Sequence, residues 1–172
     1  IPPSDTVLDT WGTPTTVCSL ATIWNGTLWD KGQPLSSTEA IINADYDMNV
    51  LPSIDACAIK LRNGATLTIA SGTYVNVTAN VVIDAGAELI IEHEGSLVQI
   101  DDTAIVTNNG TITVAKKTPA LGFREFSVMS SPMSASTRDV ALADARIVFA
   151  HNTANFDLCL LYTSPSPRDV SL

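Results

Sequence analysis

Short runs of alternating apolar and polar residues fill the middle of the chain and recur every 22 or 23 positions. In one run, Leu67 and Ile69 alternate with Thr66 and Thr68, which predicts a β-strand with one buried face and one solvated face. A fixed period of this size is typical of stacked repeats, in which each repeat buries its apolar face against its neighbours. The recurring apolar residues form five columns: Ile59, Val82 and Ile105; Leu67, Leu89 and Ile112; Ile69, Ile91 and Val114; Val75 and Val98; and Val77 and Ile100.

Turn-forming residues separate these runs. Pairs such as Asn63-Gly64 and Asn109-Gly110 suit corners because both residue types adopt positive φ angles at low steric cost. Strands of successive turns would pair in parallel about 4.8 Å apart. A β-sandwich shares the alternation but not the fixed spacing of three-strand sets. We therefore predict an all-β fold, a right-handed parallel β-helix (β-solenoid) with about three strands and 22–23 residues per turn, capped at both ends.

The pattern changes along the chain, and each change marks a predicted segment boundary. Trp24 and Trp29 are expected to lie over the first turn, because an open end of a solenoid exposes unpaired strand edges. The predicted segments are a linker or tail of an upstream module at 1–20, an N-terminal cap at 21–56, the β-solenoid at 57–118, a C-terminal cap or the start of the next module at 119–158, and a non-native tail at 159–172.

The C-terminal tail has a different origin from the rest of the chain. Cys159–Asp169 resembles the translation of a transposase-based sequencing adapter, so 159–172 is set aside from fold reasoning. The chain begins at Ile1 without an initiator Met or a signal peptide, and we expect it to be a fragment of a longer protein.

Composition narrows the classes of partner. The formal net charge of −9 disfavours nucleic acid and anionic membrane surfaces as partners. No apolar run approaches the 18 residues of a membrane-spanning helix, so no membrane span is predicted. Only 16% of the residues are charged while Thr and Asn are abundant, which is more typical of secreted β-proteins than of cytosolic enzymes.

Two cysteines remain when the tail is set aside. Cys18 and Cys57 either form a disulfide at the entrance of the repeat region or are two small buried side chains that never meet, and the sequence favours neither. Without paired histidines they do not make a standard four-ligand zinc site, and no metal or other cofactor is predicted.

Several short motifs resemble those of a known class of protein. They are Trp24-Asn25-Gly26-x-x-Trp29-x-x-Gly32-x-Pro34, Cys57, Gly64-x-x-Leu67-Thr68-Ile69, the run from Glu92 to Ile100, Ser130-Ser131-Pro132-Met133, and the run from His151 to Phe156. Together they resemble repeat segments of large secreted surface proteins of flavobacterial type. The resemblance covers roughly residues 22–158 and implies export by the type IX secretion system, an adhesin-like or structural role, and an extracellular or outer-cell-surface location.

The acidic residues Glu92, Glu94, Asp101 and Asp102 are the first candidates for a site. Glu92 and Glu94 are predicted to face outward from one strand, and Asp101-Asp102 to lie at a corner. A calcium site is one interpretation, because Ca²⁺ takes several carboxylate oxygens. Solvated charge that prevents edge pairing is the other, and the absence of a spaced Asp-x-Asp-x-Asp-Gly loop favours it.

Catalysis is not predicted, although β-helices can host polysaccharide lyases and hydrolases. Hydrolysis of a glycosidic bond would need two carboxylates facing each other across a groove. Two carboxylates two residues apart on a strand would be about 6.6 Å apart, which falls between the separations typical of retaining and of inverting glycosidases. A lyase would need basic residues near the base. Those of the repeat region are expected at its two ends, away from the acids: Lys60, Arg62, Lys116 and Lys117.

The histidines and aromatic residues are assigned structural roles. His93 lies between two glutamates, and a bend or bulge is predicted near Glu94-Gly95, where the repeat step changes from 22 to 23 residues. His151 has no recognisable Ser or Cys nucleophile, so a triad is not supported. Sugar stacking is possible in principle for Trp24, Trp29 and Tyr74, but packing in the cap is the favoured role.

The sequence thus predicts a structural or adhesive module of a large secreted cell-surface protein, with no catalysis of its own. Its expected partners are neighbouring modules of the same polypeptide and surface glycans. One alternative is a carbohydrate-binding or polysaccharide-processing β-helix, which a glycan array would detect. Another is a phage tail-fibre segment, which would form a stable trimer.

Overall fold

The computed structural model describes residues 18–118, 120–122, 125, 127, 133 and 137. The chain divides into two compact units, Ile1–Ser127 and Val128–Leu172. Most of the predicted linker, nearly all of the predicted C-terminal cap beyond Gly122, all of the tail, and His151 lie outside the described residues. The described residues contain no helix long and apolar enough to cross a membrane.

Twelve strands and no helix make up the regular structure of the described residues. Each strand is two to five residues long, because a corner follows every few positions. In chain order they are β1 Leu20–Trp24, β2 Thr38–Ile42, β3 Tyr46–Asp47, β4 Ile54–Ala56, β5 Ala58–Leu61, β6 Thr66–Ile69, β7 Tyr74–Val77, β8 Val81–Ile83, β9 Glu88–Ile91, β10 Ser96–Gln99, β11 Val106–Asn108 and β12 Thr111–Val114.

The strands form three parallel sheets. Sheet A has the order β1-β2-β5-β8-β11, sheet B the order β3-β6-β9-β12, and sheet C the order β4-β7-β10. From β2 onward the chain visits A, B and C in turn, and each strand pairs in parallel with the strand three places later. The fold is therefore a parallel β-helix of about four turns, which confirms the predicted fold class.

The alternating pattern builds the core. Leu67 and Ile69 of β6 are 1% and 0% exposed, whereas Thr66 and Thr68, which alternate with them, are half-buried on the outer face. Strands β5, β7, β8 and β9 show the same alternation. Because equivalent positions of successive turns lie in register, their apolar side chains form continuous interior stacks.

The register confirms two of the predicted columns and corrects the other three. Leu67, Leu89 and Ile112 pair in succession, and so do Ile69, Ile91 and Val114. The remaining columns are displaced by one residue in at least one step. The observed partners are Ile59 with Val81, Val81 with Val106, Val75 with Leu97, and Val77 with Gln99.

The physical reason for the error is that a shift of one residue moves a side chain to the opposite face of its sheet. Val98, placed in an interior column by the fixed spacing, faces outward and is 42% exposed. Ile100 and Ile105, placed likewise, are each 62% exposed beside a corner. The step from Ile59 to Val81 is 22 residues and the next, to Val106, is 25, because the later corner is longer.

The winding also begins earlier than the boundary predicted at residue 57. Strands β2, β3 and β4 form a full turn within 21–56 and pair with β5, β6 and β7. Strand β1 starts a further turn against β2. In that first turn, residues 25–37 take the place of the strands of sheets B and C; we call them the capping segment.

A disulfide joins Cys18 to Cys57, which settles the alternative left open by the sequence. Cys18 lies just before β1 and Cys57, 1% exposed, just before β5. Since β2 lies between those two strands in sheet A, the bridge spans the outermost three strands at the N-terminal end.

Candidate functional site

Glu92, His93 and Glu94 lie in a corner and not in a strand. Strand β9 ends at Ile91, and the Gly95 N–H donates to the Glu92 carbonyl oxygen at 2.9 Å. Glu94 has a φ of 66°, and its carboxylate accepts a hydrogen bond from the Ser71 hydroxyl at 3.0 Å. The prediction of an outward-facing strand pair of glutamates is therefore wrong, whereas the bend predicted near Glu94-Gly95 is present as a turn.

Gly95 is required at this corner by close approach of the backbone. A Cβ at this position would lie 2.6 Å from the Ile69 carbonyl oxygen of the previous turn. The same oxygen accepts a hydrogen bond from the Glu92 N–H at 2.9 Å. Two successive corners thus pack backbone against backbone, which leaves no room for a side chain.

His93 connects this corner to the segment after β12. Its Nδ1 accepts a hydrogen bond from the Lys117 backbone N–H at 3.1 Å. An accepting Nδ1 carries no proton, so this contact requires the tautomer protonated at Nε2. The contact supports the structural role predicted for His93.

Asp101 and Asp102 lie at the next corner, as the spacing predicted. Asp101 Oδ1 accepts hydrogen bonds from the Thr103 N–H at 2.8 Å and the Thr103 hydroxyl at 2.7 Å. The Thr103 hydroxyl, followed by its backbone N–H, holds the pKa of the Asp101 carboxyl below its ordinary value. The arrangement is a turn stabilised by its own first residue.

The four acidic residues do not converge. Strand β10 separates the Glu92–Gly95 corner from the Asp101–Asp102 corner, and it spans about 13 Å at the usual rise per residue. Within the part of the chain that the structure describes, no group of three or more His, Cys, Asp or Glu residues could hold a metal ion.

The basic residues are placed differently from the prediction. Lys60 Nζ lies 3.7 Å from Asp84 Oδ1, and Arg62 Nε lies 3.9 Å from Asp84 Oδ2. Because the winding begins at Leu20, these two residues are in the middle of the described solenoid and not at its end. Lys116 and Lys117 follow β12 and are exposed.

An aromatic cluster closes the N-terminal end of the interior. The ring centroids of Trp24 and Tyr46 are 5.0 Å apart, and Trp29 lies 5.6 Å from Trp24 and 5.7 Å from Tyr46. All three side chains are buried. The three rings pack against one another in tilted and edge-to-face arrangements, as expected for a cap.

Of the three polar side-chain atoms in the cluster, two form hydrogen bonds to backbone carbonyl oxygens. Trp24 Nε1 donates to the Asp45 carbonyl oxygen at 3.0 Å, and the Tyr46 hydroxyl donates to the Pro52 carbonyl oxygen at 2.9 Å. Burial raises the pKa of the Tyr46 hydroxyl, and the nearby Trp29 indole opposes that rise. Within the part of the chain that the structure describes, Trp29 Nε1 is buried without a hydrogen bond of standard geometry to Tyr46 or to any other group.

The outer face of sheet C carries an exposed aromatic ring beside polar groups. The prediction that Tyr74 packs in the cap is wrong, because it lies in β7 and is 41% exposed. Its hydroxyl lies 3.5 Å from Asp55 Oδ2. Asn76 Nδ2 donates to Asp55 Oδ1 at 2.9 Å. Sequence reasoning missed Asp55 and Asn76, although strand parity places Tyr74 and Asn76 on one face and the register of β4 with β7 adds Asp55.

The chain was also compared with known proteins. The model of a family described as "Domain of unknown function (DUF8693)" matches residues 18–155. Neither the curated proteins nor the solved structures contain a significant match.

Proposed function

The chain belongs to the DUF8693 family, and we propose that it is a rigid structural or adhesive module of a large secreted cell-surface protein. In this role it has no catalysis of its own and joins neighbouring modules of the same polypeptide. Export by the type IX secretion system, suggested by the motif resemblance, is part of the proposal.

The observation that carries the proposal is the continuous interior stack. Parallel turns joined by in-register ladders bury continuous stacks of apolar side chains, such as Ile42, Leu61 and Ile83 of sheet A, each 0% exposed. A stack of this kind resists bending because, from β2 onward, successive turns are joined through three parallel sheets. Such a module suits a spacer that holds other modules away from a surface.

Two further observations agree with an exported spacer. The Cys18–Cys57 disulfide is of a kind that persists in oxidising compartments. The net charge of −9 keeps a surface-exposed chain soluble and repels anionic surfaces.

The test is single-molecule force spectroscopy of the full chain, held by its two termini. We expect a cooperative unfolding event, and reduction of the disulfide should lengthen the released chain by about 130–140 Å, since 39 residues separate the cysteines. The matched control is the Cys18→Ser/Cys57→Ser variant, in which unfolding should release the longer length of chain even without reductant. Extension without a force peak, as for an unstructured chain, would contradict a mechanical role.

Carbohydrate binding is a second candidate, favoured by the Tyr74, Asp55 and Asn76 group. An exposed ring beside hydrogen-bonding side chains is a common way to hold a sugar. A glycan array with the full chain should then give a signal that Tyr74→Ala abolishes and Thr68→Ala, on the outer face of sheet B, does not. The absence of any glycan signal would remove this candidate and leave the spacer role untouched.

A further inference from the structure

Strand β1 lies at the N-terminal edge of sheet A, where a free row of backbone groups would be expected. Its inner edge pairs with β2, and the Trp24 carbonyl oxygen accepts the Asn43 N–H on that side. Backbone groups alternate in direction along a strand, so those of Ala21, Ile23 and Asn25 face outward. Such an edge is a template for adding a strand from another chain.

The capping segment occupies this outer edge. Asp30 bonds Ile23 twice: its Oδ1 accepts the Ile23 N–H at 2.7 Å, and its N–H donates to the Ile23 carbonyl oxygen at 3.0 Å. Lys31 Nζ donates to the Ala21 carbonyl oxygen at 3.0 Å, and the Asn25 N–H donates to the Leu28 carbonyl oxygen at 3.3 Å.

The geometry of the capping segment does not allow another strand to be added to sheet A beside β1. Trp29 bridges Trp24 in the antiparallel sense, against the parallel sense of every strand pair in the sheets. Two of the bonds come from the charged side chains of Asp30 and Lys31, which offer no continuing ladder to a further strand. Charged side chains at a strand edge are a known protection against association.

The segment is also tied to the interior of the first turn. Thr22 is 2% exposed, and its hydroxyl donates to the Gly32 carbonyl oxygen at 2.9 Å, with Asp30 Oδ1 at 3.2 Å. The next two turns have Ala40 and Ile59 at the equivalent interior position. Of these three equivalent positions, only that of the first turn is polar. There the capping segment, and not another strand, supplies the groups next to Thr22.

The opposite edge of the same sheet is β11. Within the described part of the chain it pairs only with β8, and its three residues are exposed. The Ile105 carbonyl oxygen and the Asn109 N–H bond toward β8, so the backbone groups of Val106 and Asn108 face away from it. A second copy whose β11 lay beside β1 would continue sheet A in the same parallel sense.

We propose that β1 is a latent strand-addition surface for the β11 edge of a second copy of this chain, and that Asp30 and Lys31 keep it closed. The contact would be head-to-tail and would not close on itself, so released chains form open filaments. The inference concerns assembly and holds whether the module is a spacer or a carbohydrate binder.

The test compares the full chain with its Asp30→Ala/Lys31→Ala variant by sedimentation velocity over a range of concentrations. The parent chain should stay monomeric, while the variant should show a roughly twofold or greater rise in weight-average mass, since open head-to-tail pairing begins with a dimer. Hydrogen exchange at the Ile23 amide should also quicken in the variant.

Matched variants separate the edge from general charge effects. Asp30→Asn keeps an oxygen acceptor for the Ile23 N–H and should remain monomeric. Lys60→Ala removes a positive charge from the middle of sheet A and should also remain monomeric. Val106→Pro, placed in the double variant, removes an outward N–H of β11 and should restore the monomer.

Each other outcome overturns the proposal. A monomeric double variant with faster exchange at Ile23 would show that an open β1 edge does not recruit a second copy. A monomeric variant with unchanged exchange would show that Asp30 and Lys31 do not hold the segment. Association that survives Val106→Pro would exclude β11 as the partner edge. If the double variant loses its β-sheet circular dichroism, Asp30→Ala alone allows the same comparison, because Asp30 Oδ1 is the acceptor of the Ile23 N–H.

Discussion

Ile69 of β6 pairs in register with Ile91 of β9, and both side chains lie in the interior. The residue before each of them, Thr68 and Ile90, faces outward on sheet B. Neighbouring residues of one strand therefore have opposite environments, although their backbones take part in the same ladder.

We expect Ile69→Asp to destabilise the chain far more than Thr68→Asp. Loss of a buried Ile side chain forfeits about 1.5–3 kcal/mol, and burial of an unpaired carboxylate adds several more. Thr68→Asp should stay within about 0.5 kcal/mol, because the side chain reaches solvent. Urea unfolding of both variants measures the difference. Equal loss of stability would contradict the assignment of the two faces.

Removal of the Cys18–Cys57 disulfide should lower the free energy of unfolding by about 4 kcal/mol, because it constrains a loop of about 40 residues in the unfolded chain. The comparison is Cys18→Ser/Cys57→Ser against the parent, both carrying Cys159→Ser to avoid other thiols. Hydrogen exchange should quicken first in β1. Uniform loss of protection through all sheets would argue that the bridge supports more than the N-terminal end.

Gly95→Ala should cost more stability than Gly72→Ala. The new methyl group at Gly95 would meet the Ile69 carbonyl oxygen at 2.6 Å, so two turns must separate, at a cost of roughly 2–3 kcal/mol. Gly72 has open space around it but a φ of 73°, and its substitution should cost about 1 kcal/mol. Thermal melting of both variants provides the measurement. The reverse order would place the close approach elsewhere.

Trp24→Phe should destabilise the chain more than Trp29→Phe. Both changes shorten a buried ring, but only Trp24 donates a hydrogen bond from Nε1, to the Asp45 carbonyl oxygen. Loss of that bond should make the difference about 1–3 kcal/mol. Denaturant unfolding followed by circular dichroism tests the order. A larger effect at Trp29 would mean that its indole N–H has a partner in solution.

The Asp101 turn should weaken in acid. Its folded pKa is lowered, so its contribution to stability is complete above the ordinary pKa of 3.8 and is lost as the pH falls through the folded value below that. Carboxyl carbon shifts measured by NMR during a pH titration should show Asp101 protonating below 3.8. Asp101→Asn should remove this part of the acid response. A midpoint above 3.8 would contradict the effect of Thr103.

Some features follow from the local sequence. The alternation of Leu67 and Ile69 with Thr66 and Thr68 is a property of a single strand, and it is confirmed by burial. The second and third columns are also correct, because the longer corner before β11, residues 100–105, is offset by a shorter corner before β12, residues 109–110. The candidate acids were placed less well, since strand parity does not apply once β9 has ended at Ile91.

The parallel β-helix could be predicted from the sequence, because alternation and a repeating period remain recognisable when the alignment of two turns is wrong by one position. The register of Val75 on Leu97, the pairing of Cys18 with Cys57, and the closure of the β1 edge by Asp30 and Lys31 are visible only in the folded molecule. Each of these depends on where residues about 7 to 40 positions apart meet. Corner length and close backbone packing set that geometry, and neither can be deduced from a periodic pattern of apolar residues.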